Sequence, residues 1–101
     1  MEFTEYRDDG RYEIDMRGRL TFADHACFLE ILKHIGSAEF RDVRFDVSQL
    51  DFIDSAAMGM FLLALEEANK FHTSITLIGA QGQVKKMLHV ARFDALFTME
   101  D

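Results

Sequence analysis

Proline is absent from the 101 residues, and the six glycines are scattered rather than grouped. No stretch therefore has the composition of a flexible linker or a low-complexity tract. The single cysteine, Cys27, has no partner for an internal disulfide, which makes a reducing compartment the expectation. Positive charge is scarce: eleven Lys and Arg stand against eighteen Asp and Glu, a formal net charge of -7. That balance lacks the clustered positive field a general nucleic-acid binder needs. The longest nearly apolar run, Ala56 to Leu65, falls far short of the roughly 20 residues that cross a bilayer. The opening Met1-Glu2-Phe3-Thr4-Glu5 is acidic where a secretory leader is basic and then apolar. No self-similarity recurs at the spacing of a repeat protein. The expectation is one cytoplasmic domain over residues 1–101, without nucleic-acid binding or membrane insertion.

Apolar residues are plentiful, at 49% with ten Phe, enough for a packed core. Tyr12, Ile14 and Met16 alternate with charged neighbours, as on a half-buried strand. Residues 3–7 are placed to pair with it through Asp8-Asp9-Gly10, and Gly18 interrupts the alternation. Phe28, Ile31, Leu32 and Ile35 fall at helical spacing and predict a helix near 22–35, with Gly36 as its stop. Val43, Phe45 and Val47 alternate again, and Leu50-Asp51-Phe52-Ile53 reads as a second short apolar stretch. A helix follows at 55–71, a buried strand at 74–78 and a last helix near 81–91; Phe93, Leu96 and Phe97 close the chain. Strands first and then alternating helices and strands predict an α/β fold, a mixed sheet of four or five strands with helices packed on it.

The informative stretch runs from Asp46 to Gly59. Asp54 and Ser55 are helix-capping residue types, able to accept hydrogen bonds from the free amides of a first turn. On a wheel with Ala57 at zero, Phe61, Ala64, Leu65, Ala68 and Phe71 form a core stripe within about 80°. Ser55, Met58, Gly59, Leu62 and Glu66 fall on the other side. Two bulky apolar residues thus sit on the predicted solvent face beside a serine, the pattern of a partner surface.

The run Phe52-Ile53-Asp54-Ser55-Ala56-Ala57-Met58-Gly59 resembles the phosphoacceptor motif of STAS domains of the anti-sigma factor antagonist type. The approach Val43-Arg44-Phe45-Asp46-Val47-Ser48 resembles the family's strand ending in Asp-Leu-Ser. Gly18-Arg19-Leu20 resembles its Gly-x-Leu turn, and Val84…Leu88…Phe93-Asp94-Ala95-Leu96-Phe97 its last helix and tail. The likeness covers about residues 11–97 in order. Two departures stand out: Thr21 where the family often has Asp after Gly-x-Leu, and Ala56 where a second hydroxyl often follows the serine.

The resemblance implies a STAS-like α/β sheet and regulation by binding, without catalysis or a cofactor. It makes Ser55 the phosphorylation site and places Thr21, Asp54, Ser55, Met58, Gly59 and Leu62 on the partner surface. The implied partners are an anti-sigma factor that is also a serine kinase, of the GHKL-type ATPases, and a PP2C-like phosphatase. Unphosphorylated, the domain would occupy the anti-sigma factor and release the sigma factor. The alternative within the family is a non-catalytic subunit of an ABC-type membrane transport assembly.

Other constellations are weaker. Asp46, Asp51 and Asp54 are oxygen donors, but strand-end and turn roles account for them better than a Mg²⁺ site. His25, His34, His72 and His89 lack zinc-ligand spacing with cysteine. Cys27 has no activating neighbour in sequence and is expected to pack. Lys85, Lys86, His89 and Arg92 are expected to form a solvated face. Gly79-Ala80-Gln81-Gly82-Gln83 lacks the lysine of a phosphate loop and reads as a turn into the last helix.

Overall fold

The computed structural model describes residues 1–37 and 39–101. Alternation builds the sheet. Tyr12, Ile14 and Met16 on β2 (Arg11–Leu20) and Val43, Phe45 and Val47 on β3 (Asp42–Ile53) are completely buried, while the residues between them stay half-exposed. β1 (Glu2–Asp8) pairs antiparallel with β2 through Asp9 and Gly10, whose φ angles are 41° and 85°. Positive φ at both central residues is what a tight two-residue hairpin turn requires.

β4 (Ser74–Ile78) and β5 (Thr98–Glu100) continue the sheet in parallel, giving the order β1-β2-β3-β4-β5. Each parallel connection steps in the same direction. Right-handed crossovers therefore lay α1 (His25–Ile35), α2 (Ser55–Lys70) and α3 (Gly82–Val90) on one face. The core lies between them: Phe28 of α1, Phe45 of β3 and Phe61 of α2 meet with ring centroids 5.4 to 5.9 Å apart. The sheet and three helices match the expected architecture, with the fifth strand present.

Several expectations shift at the edges. The first helical segment begins as a 3-10 turn, Phe22–Asp24, before α1 proper. Gly18 does not end β2; with φ +90 it lets the strand continue to Leu20 through a register shift. The two stretches 43–47 and 50–53 are one strand, because β3 advances three residues from Asp46 to Gln49 while β2 advances two. Asp46 Oδ1 holds this bulge by accepting from Ser48 N at 2.9 Å and Ser48 Oγ at 2.6 Å. Bulging keeps Leu50 and Ile53 on the core side. Phe71 is not core: α2 ends at Lys70, and Phe71 leaves the helical track with φ -115 and stays exposed. Met60, absent from the expected stripe, is buried, while Leu65 is half-buried and Leu96 exposed.

Phe61 bridges helix and sheet, so Phe61→Ala opens a cavity that no neighbour can fill without moving. A loss of about 3–5 kcal/mol is expected, read as a lower urea midpoint at unchanged slope.

Candidate functional site

The parallel strands β2 and β3 end side by side, Leu20 opposite Ile53, and the chain leaves each toward a helix. Asp54 ties the two exits together. Its Oδ1 accepts from Ala57 N at 2.8 Å, capping α2, and its Oδ2 accepts from Phe22 N at 3.1 Å. Its own amide donates to Leu20 O at 3.3 Å. Such a cap contributes about 0.5–2 kcal/mol, and here the same carboxylate also fixes the neighbouring loop. Thr21 completes that loop: its Oγ1 accepts from Ala23 N at 3.3 Å, while its amide donates to Asp24 Oδ2 at 2.9 Å. This is a capping box on the 3-10 turn.

Ser55 is the first residue of α2 and is exposed; its hydroxyl takes no part in the bonds that hold this corner. One turn on, Gly59 is exposed, and a Cβ built there meets nothing within 4 Å. Leu62 continues the face and is 40% exposed. Met58 departs from the wheel: it is half-buried and packs against the edge of the core. The structure thus gathers Thr21, Asp54, Ser55, Gly59 and Leu62 at one corner, with Met58 beneath.

Two residues at this corner escape sequence reading. Phe22 is 69% exposed, its amide held by Asp54 and its ring stacked on His25 at 5.8 Å. The apolar spacing places it in the 22–35 helix, and only its apolar character beside the Gly-Arg-Leu turn marks it out. Gln83 is the second. Ile53 N donates to Gln83 Oε1 at 3.0 Å, and Gln83 Nε2 donates to Ile53 O at 2.9 Å. β4 pairs with β3 only up to Asp46, so the Gln83 amide stands in for the missing strand beside the residue before Asp54. Gln81 Nε2 donates to Ser48 O at 2.7 Å, and a Cβ on Gly79 would lie 2.6 Å from Ser48 Cβ. The 79–83 turn is therefore pressed onto β3.

The other candidates have structural surroundings. Asp46 serves the bulge, Asp54 the cap, and Asp51 is exposed. Cys27 is half-buried, and burial pushes its thiol above the ordinary value. His34 packs its ring edge against Tyr12 at 5.9 Å. Among the described residues, no helix is long and apolar enough to cross a membrane.

Residues 3–99 match the family described as Mlab, STAS domain. The chain belongs to the STAS domain family. A STAS-domain containing protein of Pseudomonas aeruginosa (strain UCBPP-PA14) is 29% identical over 90 residues, covering 89% of this chain and 88% of the relative. Among solved structures, the anti-sigma factor antagonist SpoIIAA in its unphosphorylated form superposes with a TM-score of 0.81 at 20% identity, over 99% of this chain and 88% of that one. A sulfate transporter family protein from Wolinella succinogenes gives 0.78 at 19% identity, over 91% and 77% of the two chains. At these identities the solved structures share the STAS fold with this domain.

Replacing Gln83 by Ala leaves the Ile53 amide and carbonyl of this STAS domain without partners. A loss of about 1–3 kcal/mol is expected, measured by chemical denaturation. Faster hydrogen exchange at the Ile53 amide is expected with it.

Proposed function

We propose that this STAS domain is an anti-sigma factor antagonist that acts by binding, with Ser55 as its phosphate acceptor. The observation that carries the reading is Gly59. A glycine inside an α-helix costs about 1 kcal/mol relative to alanine, and among the described residues nothing occupies the space an alanine methyl would take. Bare backbone one turn beyond an exposed serine is accounted for by a partner that approaches α2 closely. Ser55, Gly59, Leu62 and Phe22 then form the contact surface, and Thr21 acts by shaping the loop that presents Phe22. Met58 supports the surface from beneath.

Phosphate on Ser55 would bring about -1.5 to -2 charges beside Asp54. A helix start tolerates that charge, so the fold survives modification. A partner covering the corner would have to desolvate a hydrated dianion next to a carboxylate, which costs several kcal/mol per unpaired ion. The partner is thereby released. The partner in this reading is an anti-sigma factor with serine kinase activity, and a PP2C-like phosphatase resets the domain. SpoIIAA, of the same fold, has been solved in a phosphorylated form as well, which supports the reading. The test is incubation with candidate anti-sigma kinases and ATP, followed by phosphosite mass spectrometry. Label on Ser55 that is lost in Ser55→Ala is expected; equal labelling of that variant overturns the assignment.

A second reading is favoured by the transporter-family protein of the same fold. In it the same corner docks on a transport ATPase as a non-catalytic subunit, and Ser55 is not labelled by an anti-sigma kinase. Co-purification with a permease and ATPase separates it from the first.

Gly59→Ala is expected to raise the stability of the free domain by about 0.5–1 kcal/mol while weakening partner binding at least tenfold. Thermal unfolding and calorimetric titration against the kinase that labels Ser55 check the two halves. Leu62→Asp is expected to weaken binding with a stability change within about 0.5 kcal/mol, whereas Met58→Asp is expected to lose stability as well, because Met58 packs on the core.

A further inference from the structure

With the helices on one side, the other side of the sheet carries the second set of alternating side chains. On β2 these are Arg11, Glu13, Asp15 and Arg17; on β3 they are Asp42, Arg44 and Asp46. Register sets Asp15 directly opposite Asp46 and Glu13 opposite Arg44. Like charges facing each other across a pair of strands repel, so this side should draw its cations inward. It does the reverse. Arg44 Nη2 reaches across β4 to Glu100 Oε1 at 2.7 Å, and its Nη1 lies 3.8 Å from Asp42. Arg11 lies 3.5 Å from Asp42, and Arg17 pairs with Glu2 at 3.9 Å and donates to Thr4 Oγ1 at 3.1 Å.

Glu13, Asp15 and Asp46 are left as three half-buried carboxylates. From β1, only Tyr6 and Thr4 stand opposite Glu13 and Asp15. Asp46 has donors of its own in Ser48. Asp15 does not: its Oδ1 is shut off from solvent and has no hydrogen-bond partner among the described residues. An inaccessible carboxylate oxygen without a donor costs free energy that one proton would recover.

We propose that Glu13 takes up a proton and donates it in a hydrogen bond to the orphaned Asp15 oxygen, so that the domain gains stability as the medium acidifies toward the ordinary glutamate value. Burial first, then the neighbouring Asp15 carboxylate and the charge of Asp46, hold the Glu13 carboxyl above its ordinary value of 4.5, with Arg44 opposing. In the window between the two values the folded chain holds a proton that the unfolded chain has lost. Stability therefore rises as pH falls through the folded value, and the gain is complete below the unfolded one. The device is independent of Ser55 and of what binds there.

Glu13→Gln tests it, because the amide supplies the same donor at every pH. The variant is expected to have a higher urea midpoint than wild type at about pH 7.5, with the difference narrowing as pH falls and closing only below the ordinary glutamate value of 4.5. A midpoint difference that is absent, or that does not change with pH, overturns the proposal. Carboxyl ¹³C NMR titration of Glu13 in the wild-type protein decides it without mutation. A midpoint above that of an ordinary glutamate supports the proposal, and an ordinary midpoint overturns it.

Discussion

A sheet whose strands follow one another in chain order can take right-handed crossovers on one face only, and here three successive parallel steps do so. That constraint divides the molecule. One side of the sheet must be apolar enough to receive α1, α2 and α3, and it is built from Tyr12, Ile14, Met16, Val43, Phe45 and Val47. The other must remain soluble without cover, and it carries the arginines and carboxylates of β2 and β3. The ends of β2 and β3 are where both sides and two helix starts converge, so a residue placed there meets several elements at once.

Asp54 uses that position with three hydrogen bonds from one residue: to the first turn of α2, to the Phe22 loop and to the end of β2. Gln83 adds two from the opposite flank. Rigidity at the corner thus comes from Asp54, Thr21 and Gln83, while Ser55, Gly59 and Leu62 are free of structural duty. A surface organised in this way can be modified or covered without disturbing what holds it. Preorganisation of this kind lowers the ordering cost of binding.

Much of this was legible in the sequence because the signals are local. The alternation in β2 and β3, the Asp9-Gly10 turn, the capping residue types at 54–55 and the strand 74–78 each depend on neighbours within a few positions. The STAS-like order of motifs added the family. What stayed hidden depends on residues distant in the chain. The bulge after Asp46 made one strand look like two, because its register is set by β2. Gln83 looked like turn filler, since its partner Ile53 lies 30 residues away. Phe22 looked helical, since what fixes it is a carboxylate 32 residues on. Phe71 fitted the wheel, which has no means of knowing that α2 stops at Lys70. The missing partner of Asp15 appears only when the arginines of β2 and β3 are traced to their acids.

The reach of these bonds also orders the assembly of the molecule. The β1–β2 hairpin closes through two residues, Asp9 and Gly10, whereas the corner at Ser55 is closed by contacts spanning 32 and 30 residues. Loop-closure entropy is recovered first by the near contacts. The hairpin is therefore the natural early nucleus, and the corner at Ser55 is among the last parts to form on a nascent chain. That corner is complete only once residue 83 has left the exit tunnel and α3 has seated on β3.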